Sequence, residues 1–152
     1  MSACILGIDP GLSGAVALHN GQLRRVENMP VSGKDVDPAI LADMLEALLD
    51  GRERPDKVVV ERQQAFPKAG AVSSFVLGKR YGMILGICAC LDWPVEIVTP
   101  VAWKRDTKTP RDKDGARSRA SQLMPEGASW WRLKKDHGRA EAALLAWWGA
   151  QR

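Results

Sequence analysis

Cys4-Ile-Leu-Gly-Ile-Asp9 is an apolar run that stops on a carboxylate and passes at once into the glycine-rich turn Pro10-Gly-Leu-Ser-Gly14. Strand stability does not call for an acid on the last rung. An unpaired carboxylate at a buried strand end is costly or shifts its pKa. A bound divalent cation removes that cost, which makes Asp9 a candidate metal ligand. Asp-Pro-Gly is equally good turn chemistry: Asp bonds its own backbone, Pro fixes φ, and Gly accepts positive φ. Both readings stay open on this segment alone.

The remaining pattern sets the frame around it. A strand over Ala3 to Ile8 is followed by a second over Gly14 to His19, a hairpin turn at Asn20-Gly21 and a third strand over Gln22 to Asn28, an antiparallel meander ended by Pro30. Asp37-Pro38 opens a helix in which Ile40, Leu41, Met44, Leu45, Leu48 and Leu49 recur at helical spacing, and Gly51 stops it. Lys57 to Glu61 is a buried strand that again ends on an acid. Ala69 to Leu91 reads as a long apolar helix. Its Gly78, Gly82 and Gly86 share one bare face, each at a cost of about 1 kcal/mol against alanine. Such a face admits close approach by another backbone, either the sheet beneath or a second subunit. Val95 to Thr99 is a fifth strand and Val101 to Arg105 a short helix. The strongly polar Asp106 to Gly115 is expected as a mobile or ligand-ordered loop. Helices over Ala116 to Met124 and Asp136 to Gly149 follow. The succession predicts an α/β fold: a five-stranded mixed sheet of three antiparallel and added parallel strands, flanked by helices, in one domain over residues 1–152.

Hydrophobic residues make up 45% and charged residues 26%, as in ordinary globular proteins. No apolar run reaches the ~20 residues of a membrane helix, and Met83 to Val98 is broken by Asp92 and Pro94. The start of the chain lacks the basic region of a signal peptide. Three cysteines suit a reducing compartment. The expected setting is therefore cytoplasmic, without a membrane partner. Cys88 and Cys90, two apart on a helix, are expected as core filler. Charge is uneven: Val101 to Arg139 holds 11 Lys and Arg against 5 Asp and Glu, whereas the rest holds 11 against 13. A basic third of this kind is either a solvated loop or the footprint of a polyanion binder.

If the strands ending at Asp9 and Glu61 are parallel neighbours, they lie ~4.8 Å apart. Their carboxylates then meet at one sheet edge, where like charges call for a cation such as Mg²⁺. Another cluster, Lys134-Lys-Asp136-His137-Gly-Arg139-Ala-Glu141, opens the last helix. His137 and Glu141 share a face. Asp136 turns away from Glu141 and suits an N-cap. By itself this cluster is an ordinary capped amphipathic helix.

Taken in order, Gly7-Ile-Asp9-Pro-Gly-Leu-Ser-Gly14, Val60-Glu61-Arg-Gln, Gly78-Lys-Arg-Tyr-Gly82, Val98-Thr-Pro-Val-Ala-Trp-Lys104 and Lys135-Asp-His-Gly-Arg-Ala-Glu141-Ala resemble the RuvC family of Holliday-junction resolvases, within the RNase H-like superfold. The last two segments look more like phage or prophage members. The resemblance spans nearly the whole chain. It implies four catalytic, metal-binding positions. Asp9 and Glu61 fall on two, and Glu141 falls where the family usually has Asp. The fourth goes to His137 on helical spacing, with Asp136 as competitor; an imidazole ligand favours Mn²⁺ somewhat over Mg²⁺. The implied reaction is phosphodiester hydrolysis with two Mg²⁺ (or Mn²⁺) ions. Asp9 would bridge them, Glu61 would hold the leaving-group side, and Glu141 with His137 or Asp136 would hold the nucleophile side. Lys104, Arg119, Lys134, Lys135 and Arg139 are the implied phosphate contacts. The loop Gln63 to Lys68 resembles the junction-entering loop, with Lys68 at its end. There Phe66 either stacks on a splayed base or joins the core. Trp103, Trp130 and Trp131 read as core or interface. A homodimer is implied by the two equivalent strands of a four-way junction, and no small-molecule cofactor. The rival readings are a fragment of a sugar-kinase or actin-type ATPase, a junction-binding protein that does not cut, and a less selective branched-DNA nuclease.

Overall fold

The computed structural model describes residues 2–152. Its sheet has the order β3-β2-β1-β6-β7. Strands β1 (Cys4–Asp9), β2 (Ala15–Asn20) and β3 (Leu23–Asn28) form the antiparallel meander, while β6 (Lys57–Glu61) and β7 (Val95–Val98) add in parallel to β1. The five-stranded mixed sheet flanked by helices is thus as expected. A two-stranded ribbon, β4 (Val31–Ser32) with β5 (Asp35–Val36), was not anticipated. Its turn uses Gly33 at φ 65°.

Strand periodicity decides which side chains serve which face. Cys4, Leu6, Ile8, Val58 and Val60 pack under α1 (Pro38–Leu48) and α2 (Ala71–Cys90). Ile5, Val59 and Val98 face the other way. They meet α3 (Pro100–Thr107), α4 (Lys113–Leu123) and α5 (His137–Ala150). Caps fix the helix starts: Asp37 accepts from the Ala39 and Ile40 amides at 2.8 and 3.1 Å, and Asp112 from the Gly115 amide at 2.9 Å.

Helix α5 lies in backbone contact with β1. A Cβ on Gly7 would fall 2.2 Å from the Ala142 carbonyl oxygen and 2.4 Å from the Ala146 nitrogen. Only a residue without a side chain lets helix and strand approach so closely. The alanines 140, 142, 143 and 146 line the buried side of α5 and supply the matching low relief.

Three expectations are corrected. Asp106 to Gly115 is not a long loop: α3 runs to Thr107, and α4 starts at Lys113. Three of its polar side chains bond back to the fold. The buried Thr107 hydroxyl donates to the Trp103 carbonyl (2.8 Å) and meets the Thr109 hydroxyl (2.7 Å), and Asp106 accepts from the Trp148 indole (2.9 Å). Cys90 is exposed, whereas Cys88 is buried, because α2 presents only one side to the sheet. Asp136 does stand at the N-cap position of α5 but makes no side-chain capping bond, since the short 3₁₀ turn Lys134–Asp136 leads directly into the helix.

The glycine face of α2 is also resolved. Gly78, Gly82 and Gly86 are exposed, and nothing lies within 4 Å of a Cβ built on any of them. The sheet is therefore not what approaches this face. Val72 (79% exposed) and Phe75 (71%) extend it as an apolar surface. No helix among the described residues is long and apolar enough to cross a membrane.

Candidate active site

The parallel register aligns Ile8 with Val60, so Asp9 and Glu61 occupy the next rung at the carboxyl ends of adjacent strands. Both are odd-numbered like Ile5 and Val59, and alternation turns them toward the face that α5 covers. Glu141 sits in the first half of α5 and completes a group of three acids drawn from three elements.

Electrostatics record the convergence. Burial holds the Asp9 carboxyl well above the usual carboxylate range, and the negative charges of Glu61 and Glu141 push it further; only the Gly11 amide, donating to Oδ1 at 3.0 Å, opposes this. Burial also raises Glu61, which the Trp103 indole opposes by donating to Oε2 at 2.7 Å. Gln63 contacts the other oxygen at 3.4 Å. Glu141 pairs with the Lys104 ammonium at 3.3 Å.

Buried carboxylates crowded until two resist ionisation are the donor set that a hard, oxygen-seeking cation fits. The trio is not a preformed cage: among the described residues, no three His, Cys, Asp or Glu side chains stand ready around one ion position.

The remaining sequence candidates scatter. His137 is half-buried one turn ahead of Glu141 and has no hydrogen bond to the trio among the described residues. Asp136 instead lines a cleft of about 570 Å³ with Ser13, Asn28, Lys135 and Arg139. Arg139 ties α5 down through Asn28 (2.8 Å) and the Trp130 carbonyl (3.1 Å). Arg119 joins α4 to α3 through the Thr107 carbonyl (2.7 Å). Lys68, Lys134 and Lys135 are exposed. Phe66 is 61% exposed, so it is not a core residue. Lys104 also lines a cleft of about 630 Å³ with Pro100, Val101, Arg105, Lys108, Thr109 and Arg111, four cations and no acid.

Sequence reasoning passed over two groups. Trp103 is in the core as expected, yet its indole N–H also reaches Glu61, and Gln63 does the same from the loop. Only their adjacence to Lys104 and Glu61 in the quoted motifs pointed toward them.

No protein-family model matches the chain, and no curated protein matches its sequence. Solved structures do resemble it. Thermus thermophilus RuvC in complex with Holliday junction substrate superposes with a TM-score of 0.69 at 18% identity, over 98% of this chain and 95% of that one. A second Thermus thermophilus RuvC structure gives 0.62 at 18%, over 97% and 95%. The yeast mitochondrial Holliday junction resolvase Ydc2 gives 0.64 at 16%, over 99% and 79%. Across nearly its whole length, then, this chain is similar to these resolvases in architecture and has the RuvC-type, RNase H-like fold.

Proposed function

We propose that this chain is a single-domain, metal-dependent endodeoxyribonuclease that resolves four-way DNA junctions by paired symmetric nicks. The observation that carries this reading is the meeting of Asp9, Glu61 and Glu141 at the carboxyl edge of β1 and β6, where burial opposes the ionisation of Asp9 and Glu61. Its likeness in fold to two junction resolvases, one of them in complex with junction DNA, supports the substrate.

Asp9, Glu61 and Glu141 would hold two Mg²⁺ or Mn²⁺ ions, with His137 or Asp136 as a further ligand. Bound there, such ions supply an activated water and stabilise charge on the phosphate and leaving oxygen. The chain's own part is placement. Gly11 and Trp103 fix the orientation of the Asp9 and Glu61 carboxylates. Lys104, within reach of Glu141, holds positive charge where a scissile phosphate would lie. The four-cation cleft beside it, with Lys68, Lys134 and Lys135, would grip backbone phosphates without reading sequence. Phe66, projecting from the loop after β6, would stack on an unpaired base at the crossover. The three unpaired cysteines support a reducing, cytoplasmic setting.

The test is a nicking assay on a synthetic four-way junction with Mg²⁺ or Mn²⁺, beside linear duplex of the same sequence. Two symmetric incisions confined to the junction are expected. Equal cutting of linear duplex would make this a less selective nuclease, and tight junction binding without cutting in either metal would make it a binding protein.

Paired cuts need two sites, and the open face of α2 is the surface proposed for a two-fold dimer. Its three glycines let helices approach closely, and Val72 and Phe75 supply apolar area. Phe75→Asp should convert a dimer to a monomer in sedimentation and replace paired incision by single nicks. A wild-type chain that sediments as a monomer at micromolar concentration would remove this element of the proposal.

A further inference from the structure

Among the described residues, Arg80 is the one Lys or Arg in the core. It sits on α2 at 4% exposure, and burying a guanidinium is expensive unless it is well partnered. Among the described residues it has no carboxylate within ion-pair distance; Asp35 pairs with the neighbouring Lys79 instead. One of its terminal nitrogens donates to the Leu12 carbonyl at 3.0 Å and reaches toward that of Gly11 at 3.4 Å. Its Nε is buried with no partner. A residue kept only for packing would be better served by an aliphatic side chain of similar length.

Both carbonyls belong to the turn that follows Asp9. The same turn is drawn together by the Gly14 amide donating to the Gly11 carbonyl (2.9 Å), and its Gly11 amide orients the Asp9 carboxylate. From the opposite side, Gly138 of α5 presses on it so closely that a Cβ there would lie 2.0 Å from the Ser13 carbonyl oxygen. The turn is therefore held from both faces of the sheet, by backbone contact on one and by a single buried charge on the other.

We propose that Arg80 is a positioning residue for incision. Its guanidinium pins the Gly11–Leu12 carbonyls so that the Gly11 amide holds Asp9 in register with Glu61 and Glu141. This rests on the nuclease reading for its consequence, though not for its geometry. A misplacement of about 1 Å in such a group can cost about a hundredfold in rate.

The test compares Arg80→Met and Arg80→Lys with wild type. Arg80→Met keeps the bulk and loses the donors. It is expected to melt close to wild type and to bind four-way junction DNA as tightly. Its incision rate should fall by about tenfold or more, with half-maximal cutting at a higher Mn²⁺ concentration. Arg80→Lys, which can still donate to a carbonyl, should recover part of the loss. Amide hydrogen exchange at Gly11 and Gly14 should accelerate in Arg80→Met and not in Arg80→Lys. Unchanged incision and unchanged exchange in Arg80→Met would overturn the proposal. If Arg80→Met does not fold, the same two measurements on Arg80→Gln, whose shorter side chain cannot span to these carbonyls, decide: faster exchange at Gly11 and Gly14 with a raised Mn²⁺ requirement supports the proposal, and wild-type exchange with a wild-type Mn²⁺ curve overturns it. A wild-type chain that cuts no junction would refute the nuclease reading, while the exchange measurement would still judge the Arg80 linkage.

Discussion

Asp9→Asn should abolish incision, by roughly 10⁴-fold, while junction affinity stays within about twofold, because backbone phosphate contacts rather than this acid carry the binding. Asparagine keeps the shape of the side chain and can still accept from the Gly11 amide, which stands 3.0 Å from Oδ1. What it loses is the negative charge between Glu61 and Glu141. The same variant should differ from wild type in stability, in a direction set by the raised Asp9 pKa. The native site holds its proton more tightly than the unfolded chain does. The resulting stabilisation is full below the ordinary Asp pKa of ~4 and is lost as pH rises through the elevated native value. In chelator at neutral pH, Asp9→Asn should therefore melt higher than wild type, and the gap should narrow as the buffer is taken toward pH 4. Added Mn²⁺ should raise the melting temperature of wild type more than that of the variant. A variant that cuts normally, or one that melts lower than wild type in chelator at neutral pH, would contradict the role given to Asp9.

The second large effect falls on the fold. In Gly7→Ala the new methyl would meet the Ala142 carbonyl at 2.2 Å and the Ala146 nitrogen at 2.4 Å. Both are helix backbone, which cannot swing aside as a side chain would. Helix α5 would have to lift from β1 and open the packing of Ile5, Val59, Ala143 and Ala146. A loss of about 3 kcal/mol or more is expected, read as a fall in the midpoint of chemical denaturation. Because α5 carries Glu141, incision should fall even where the variant remains folded. A midpoint equal to that of wild type would mean that helix and strand are not in backbone contact.

Strand ends and helix faces were legible because they are local. The alternation through Ile5, Gly7 and Asp9 and the valine run before Glu61 each fall within one element, and the three-strand meander is announced by its turn residues. What the residues did not disclose was long-range polar bonding. Asp106, Thr107 and Thr109 read as part of a mobile or ligand-ordered loop because they are polar, yet Asp106 is bonded to Trp148, and Thr107 to Trp103 and Thr109. Arg119 and Arg139 read as phosphate contacts because they are basic, yet each also ties two segments of the chain together. Arg80 entered the sequence reading only as a member of the Gly78-Lys-Arg-Tyr-Gly82 segment, and its burial depends on where the turn after Asp9 comes to rest. Of the site, the acids that end strands were visible from pattern. Glu141 needed the family likeness, since the start of the last helix is by itself an ordinary amphipathic sequence.

The reliance of β1 on α5 has a consequence for how the molecule comes into being. Asp9 and Glu61 lie early in the chain, and Glu141 arrives 132 positions after Asp9. Contacts of such separation close late, and domains emerge from synthesis with their first segments leading. A chain still being made therefore has its central strand uncovered on one side and lacks the third acid. Such a chain should be harmless to DNA, and the capacity to cut should appear only in the final docking step that also seals the core.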